Sequence, residues 1–394
     1  MASTLFDPAQ FRIPAGVTHV CAGGETAFLL RHDRAFARYA IDKSAGPAGR
    51  VAQEAVVERA RDLSARLFGV PRESIGFVSS VAEGMSLLVE SLDWRDGDNV
   101  LLDASEYPSV VAPLSLGLPP GVEIRFAPMH DPGAVAARVH GRTRMLAVSH
   151  VSYLHGRRYD LAALRKVADS VGAMLVVDHT QAAGYLPLAA GEADFAFSAC
   201  YKWLLGMTGT AIAYWNRDRQ PDWQPRTAGW YSISGSARPE YGGRPTLKPD
   251  AMRFTRGNPS HPSLYVLVEA LEYLAAFEAR DIQSHVQRLT TALLEHFAAS
   301  GIPVTTPADP VRHGASVCVA TPQADLIVGA LEEEAGIYAW GGRGRVRFSF
   351  HGYNSIDEVG VVARAMHAVW PRLGHHGSEP DRGQASWFAS SQRT

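Results

Sequence analysis

The stretch MLVVDHTQAAG, residues 174–184, followed by ADFAFSACYKWLLGMTGTAIAY, residues 193–214, decides how this chain is read. An apolar strand ending in Asp178 puts a carboxylate at the carboxyl edge of a sheet, where α/β folds bind ligands. The next apolar run leads into Lys202 and a glycine-containing turn. A lysine amine condenses with a carbonyl cofactor once burial or a neighbouring charge lowers its pKa. A carboxylate against a pyridine nitrogen keeps that nitrogen protonated, so the ring can accept electrons. Either residue alone reads as a helix N-cap or a surface charge. Together they point to pyridoxal 5′-phosphate (PLP).

Upstream, helix-like and strand-like segments alternate. Pro47 to Phe68 and Ala82 to Leu92 read as helices, as does Leu161 to Val171, which follows Asp160 as an N-cap. Extended runs fall at Ile75 to Ser79, Asn99 to Asp103, Glu123 to Ala127, Met145 to Ser149, Met174 to Asp178, Phe195 to Ser198 and Thr210 to Trp215. Their short apolar composition suits strands buried on both faces of an α/β sheet. Beyond residue 216 the pattern gives way to a Pro-, Gly-, Ser- and Trp-rich loop, WQPRTAGWYSISGSARPEYGGRPTLKP, of the length that is usually functional or mobile. A long helical stretch, Ser263 to Ala299, then opens a smaller domain, and the polar segment from Gly374 reads as a disordered tail.

The bulk numbers narrow the function classes. A chain of 394 residues favours more than one structural unit. Its 38 basic and 40 acidic residues leave a net charge of -2, no field for a nucleic-acid backbone. Three scattered cysteines, Cys21, Cys200 and Cys318, suggest neither a zinc site nor a disulfide framework and fit a reducing cytoplasm. No stretch is long and apolar enough to span a bilayer, and no secretory leader is legible, so no membrane partner is expected.

The segments VDHTQAAG, DFAFSACYKWL, FTRGNPS and VRFSFHGYNS make the chain resemble fold-type I PLP-dependent enzymes of the class V aminotransferase group, from about residue 20 to 370. That group includes cysteine desulfurases, kynureninases and isopenicillin N epimerase-like proteins. The resemblance implies an α/β fold with a large domain, residues 20–260, built on a central, mostly parallel seven-stranded sheet. It also implies a smaller α+β C-terminal domain, 261–373, with residues 1–19 packed on it and a tail from 374 to 394. A homodimer with shared active sites is expected.

It further implies roles for named residues. Lys202 resembles the Schiff-base lysine, Asp178 the partner of the pyridine nitrogen, and Gln181 the residue near the phenolic oxygen. Tyr107, in EYPS, would lie over the ring, where flat π faces pair well, and Ser149 matches a weaker cofactor contact. The phosphate would meet main-chain donors at Val81 and Ala82, where hydroxyl residues are usual, since a helix start favours an anion. Tyr201 and Trp230 resemble kynureninase phosphate contacts, and Asn258 a residue that reaches the phosphate of the neighbouring subunit. Arg347 resembles the arginine that grips the substrate carboxylate with two parallel hydrogen bonds, with Arg343 and Arg345 as competitors. Tyr153 stands on the substrate side where many relatives have Asn.

These roles imply that the substrate amine displaces Lys202, giving an external aldimine, and that the freed lysine takes the Cα proton to form a quinonoid. Persulfide chemistry is disfavoured, because EEEAGIYAWGGRGRVR, 332–347, lacks the cysteine that desulfurases carry shortly before the arginine. Cys318 reads as a buried strand residue and Cys200 as packing. The favoured reaction is β-elimination from a cysteine S-conjugate, a C–S lyase step suited to specialised metabolism, with the loop 223–246 covering a bulky substituent. Decarboxylation-dependent deamination is a close variant. Racemisation would need a second base, for which His155, His179, Tyr153 and Tyr107 are candidates. Kynureninase-like hydrolysis and transamination remain as alternatives, and a PLP-fold binding protein is the non-enzymatic one. A nicotinamide oxidoreductase is disfavoured, as no GxGxxG follows a strand.

Overall fold

The computed structural model describes residues 4–235 and 245–374. Residues 375–394, nearly all of the expected tail, lie outside the described residues, as do 236–244 of the long loop and 1–3 of the N-terminal segment. The chain opens with β1 (Thr18–His19), α1 (His32–Ser44) and α2 (Gly46–Phe68). Seven strands then form one sheet: β2 (Ile75–Val78), β3 (Asn99–Leu102), β4 (Glu123–Phe126), β5 (Thr143–Ser149), β6 (Met174–Asp178), β7 (Phe195–Ala199) and β8 (Ala211–Trp215). Their order is β2-β8-β7-β6-β5-β3-β4. Only β8 runs against the rest, pairing antiparallel with both β2 and β7. The expected mostly parallel seven-stranded sheet is therefore present.

Between these strands lie α3 (Val81–Ser91), α4 (Pro108–Gly117), α5 (Pro132–Ala136) and α6 (Leu161–Val171). Asp160 does cap α6, accepting the amide N–H of Ala163 at 3.0 Å. Two apolar clusters cover the sheet: one joins Leu101, Leu146, Leu175 and Ile212 to α2 and α6, the other joins Val100, Met145, Val176 and Phe197 to α3 and α4. Successive residues of one strand fall into opposite clusters, as the period-2 pleat requires. Asp194, the first residue of DFAF, is almost fully buried and accepts from Leu175 N at 2.8 Å and Arg165 Nη1 at 2.5 Å. That part of the motif sets the position of β6 beside β7.

The stretch expected as one helix from Ser263 is two, α7 (His261–Leu274) and α8 (Ala279–Ala299). Beyond them β9 (Ser316–Ala320), α9 (Ala324–Ala335), β10 (Ile337–Tyr338), β11 (Trp340–Gly342), β12 (Arg345–Ser349) and α10 (Ile356–Leu373) complete the fold. The strands β11, β12 and β9 make a small antiparallel sheet with its own core, including Val319, Phe348, Leu293 and Met366. The N-terminal segment joins this region: β1 pairs with β10, and the amides of Leu5 and Phe6 donate to Gly352 O.

Candidate active site

The site forms where four strand ends of the large sheet meet the β11–β12 hairpin. Ser149 and Asp178 sit side by side in register as the last residues of β5 and β6. Asp178 is buried and accepts from Thr180 N at 2.8 Å. Burial lifts its carboxyl above the ordinary range, against the nearby Lys202 charge.

Lys202 follows β7 in a tight turn. Leu205 N donates to Lys202 O and Gly206 N to Cys200 O, both at 2.8 Å, and Leu205 takes a left-handed conformation, φ 59°. Gly184, which ends the opening motif, lets this turn approach: a Cβ there would come within 2.2 Å of Trp203 O, and its φ of 108° excludes most side chains. The turn is tied to the other half of the molecule, since Trp203 Nε1 donates to Phe350 O and His351 Nε2 to Trp203 O. Lys202 is 5% exposed, and its amine makes no ion pair among the described residues. Burial, aided by the positive charge of Arg347, lowers its pKa to about 8. The free amine is thus far more populated near neutral pH than in an ordinary lysine.

Aromatic rings flank the amine. Lys202 Nζ lies 5.4 Å from the ring centroids of both Tyr107 and Tyr201. Tyr107 meets Tyr153 edge-on at 4.8 Å. Glu106, which sequence reasoning passed over, holds this corner: it accepts from Tyr107 N at 2.6 Å, Ser149 N at 2.7 Å and Ser149 Oγ at 2.5 Å. Burial pushes its pKa up to about 7.

On the hairpin side, Arg347 is 3% exposed, donates to Tyr153 O at 2.9 Å and lies 4.6 Å from the centroid of Trp340, its cross-strand neighbour. Its Nε has no hydrogen-bond partner among the described residues. Arg343, at the hairpin turn, donates to the Tyr153 hydroxyl at 2.8 Å. The N-terminal segment closes the space between the halves. Gly23 O accepts from Gln181 Nε2 at 3.0 Å, and a Cβ on Gly23 would strike Ser349 Oγ at 2.6 Å and approach Arg347 Nε to 3.2 Å. Cys21 and Glu25 on this segment lie within electrostatic reach of Lys202.

The structure thus gathers Lys202, Asp178, Gln181, Tyr107, Ser149, Tyr201, Tyr153 and Arg347. Val81 and Ala82 begin α3, capped by Ser80, and Glu83 returns to Ser79 N at 2.6 Å. Asn258 lines a cleft of about 310 Å³ with Ser79, Glu83 and Thr210 of its own chain, beside the α3 start. Trp230 stands apart, 59% exposed under the Arg50 guanidinium and against Tyr231; no contact among the described residues brings it to Lys202.

Other expectations need correction. The described part of the 223–246 loop packs elsewhere: Trp223 joins Phe195, Trp215 and Phe254, and Tyr231 donates to Glu54. His179 is not placed to act as a second base, because its ring is fully buried against Phe68 and His150 and its pKa is lowered to about 3. His155 lines a different cleft, with Asp103, His130 and Arg157. Cys200 and Cys318, by contrast, are buried as expected, and burial raises their thiols to about 12 and about 11.

Residues 47–362 match the class-V aminotransferase family. The chain is 25% identical to a probable cysteine desulfurase of Methanothermobacter thermautotrophicus over 79% of its own length and 83% of that protein's. A cysteine desulfurase structure from Thermococcus onnurineus superposes with a TM-score of 0.82 at 21% identity, over 94% of this chain and 99% of that one. A complex of the cystine C–S lyase C-DES with cysteine persulfide superposes with 0.81 at 22% identity, over 90% and 98%. The family match over most of the chain and this shared architecture establish that the protein belongs to the class-V aminotransferases, PLP-dependent enzymes that act on amino acids.

Proposed function

We propose that the protein is a C–S lyase that cleaves cysteine S-conjugates by β-elimination. The residues present fit the cofactor: a buried amine without an ion pair among the described residues, a buried carboxyl within its electrostatic reach, and a helix start at α3 for the phosphate. Lys202 would hold the aldehyde carbon, Asp178 the ring nitrogen and Gln181 the phenolic oxygen, with Tyr107 against the ring and Ser149 nearby. The phosphate would be met by the amides of Val81 and Ala82 and by Tyr201, with Asn258 and Trp230 serving across a subunit interface in a homodimer. Bound there, PLP supplies a sink for the electron pair left when the substrate Cα loses its proton.

The chain's own groups do the rest. Arg347, braced by Tyr153 O and Trp340, offers a guanidinium to the substrate carboxylate and thereby orients Cα. Lys202, with its lowered pKa, takes the Cα proton. The Tyr153 hydroxyl accepts from Arg343, so its own proton is free to pass to the departing sulfur. A conjugate R–S–CH2–CH(NH3+)–COO− with water then yields R–SH, pyruvate and ammonium.

The fate of the three thiols carries this reading over a desulfurase: the hairpin holding Arg347 has no cysteine, and two of the three thiols are sealed in the core. Incubation with a panel of cysteine S-conjugates should release thiol and pyruvate in equal amounts; no thiol from any conjugate would end the proposal. Cys21 favours a second reading, since it is half-buried and within electrostatic reach of Lys202 and Arg347. If it accepts sulfur, L-cysteine gives alanine and a protein persulfide that Cys21→Ala abolishes. The lyase gives pyruvate, and Cys21→Ala leaves that unchanged.

A further inference from the structure

Arg343 has no role in what precedes beyond supporting Tyr153, and three features make it more than a surface charge. It adopts a left-handed backbone, φ 50°, between two glycines at the tip of the β11–β12 hairpin, a conformation that costs a non-glycine residue energy. Its guanidinium is directed into the site mouth: it binds the Tyr153 hydroxyl at 2.8 Å and lies 6.0 Å from the Tyr107 ring that Lys202 also faces. Among the described residues it makes no ion pair, although 19 ion pairs form elsewhere among them. The nearby carboxyl groups do not meet it: Glu106 is engaged by Tyr107 and Ser149, Asp178 by Thr180, and Glu25 comes no nearer than the ion-pair limit.

We propose that the substrate side chain ends in an anionic group, a carboxylate or sulfonate, received by Arg343 at the mouth of the site while Arg347 holds the α-carboxylate. This rests on the reading of Arg347 given above. The spacing supports it. Arg347 binds the main-chain oxygen of Tyr153 and Arg343 its hydroxyl, so the two cations stand at opposite ends of one tyrosine. Two anionic carbons separated by roughly five or six bonds, at about 1.5 Å each, bridge such a gap. S-carboxymethyl-L-cysteine has that length, and its carbamoylmethyl analogue has the same shape without the second charge.

The test is a calorimetric titration of the holoenzyme with adipate and with hexanoate, in wild type, Arg343→Gln and Arg343→Lys. Adipate should bind at least about ten-fold more tightly than hexanoate, the difference expected of one charge-assisted contact. Arg343→Gln should erase that ratio while leaving hexanoate affinity in place, and Arg343→Lys should keep part of it. The kcat/KM ratio of carboxymethyl- to carbamoylmethyl-cysteine should fall in parallel. Equal affinities in wild type, or a ratio unchanged by Arg343→Gln, would overturn the inference, as would an equal loss for both ligands, which would assign Arg343 to the α-carboxylate. The titration also runs on cofactor-free protein. Failure to take up PLP would therefore strike the proposed function alone and leave the adipate comparison readable.

Discussion

The two sides of the cleft are built on different principles. The sheet side draws Ser149, Asp178 and Lys202 from consecutive strand ends, fixed by backbone pairing and by side chains buried on both faces. The hairpin side assembles Gly23, Tyr153, Arg343 and Arg347 from remote parts of the chain through single side-chain contacts. Under the proposed function, a cofactor common to a whole family would be met by the rigid side, and a variable substrate by the side whose contacts can be exchanged one at a time. Fixed elements position chemistry, and loops vary around them.

Several substitutions test that contrast. The largest effect belongs to Lys202→Ala, which should remove the cofactor linkage that borohydride fixes and lower kcat by about 10²–10⁴-fold, read by mass spectrometry and by rate. On the opposite side, Arg347→Ala should chiefly raise KM, by about 10–100-fold, because charge-assisted hydrogen bonds are worth about 1.5–3 kcal/mol. If it abolished PLP uptake instead, the two sides would not be separable. Gly184→Ala should cost stability, about 1–3 kcal/mol for a strained φ and more if the Lys202 turn is displaced, seen as a lowered Tm.

Smaller effects follow from titration. The Lys202 amine attacks only as the free base, and its lowered pKa is about 8. The rate at which apoprotein takes up PLP should therefore climb with pH up to about 8 and level off above. Stopped-flow absorbance gives that profile. Glu106 has its pKa raised from an ordinary 4.5 to about 7, so the folded state favours its protonated form. Its contribution is present below about 4.5 and lost as pH rises through about 7. Urea unfolding between those values should show that loss, and Glu106→Ala should flatten it.

The contrast also explains what the sequence disclosed. Asp178 and Lys202 were legible because short apolar runs announce their strands, and the order of strand ends brings them together. Gln181 and Ser149 came with the same motifs. Glu106 escaped notice although it adjoins Tyr107, because its value lies in accepting from Ser149, on another strand. Arg343 and the 21–25 segment were legible only as a competitor for the carboxylate and as unremarkable chain, since their partners are distant in sequence. The split between α7 and α8 escaped for a similar reason: AAFE, 275–278, contains neither Gly nor Pro, yet Phe277 turns inward against Phe6 of the N-terminal segment, with centroids 4.7 Å apart. Trp230 shows the converse, a motif match that the fold of one chain leaves at the surface.

Gly23 has a bearing on any effort to redirect this enzyme. Its carbonyl anchors Gln181 and its bare Cα abuts Arg347, so one position touches both sides of the cleft. A library that randomises residues 22–24 would mix altered substrate preference with impaired cofactor retention, and a selection for turnover could not tell them apart. Diversity placed at the hairpin tip, residues 342–344, leaves that shared point untouched.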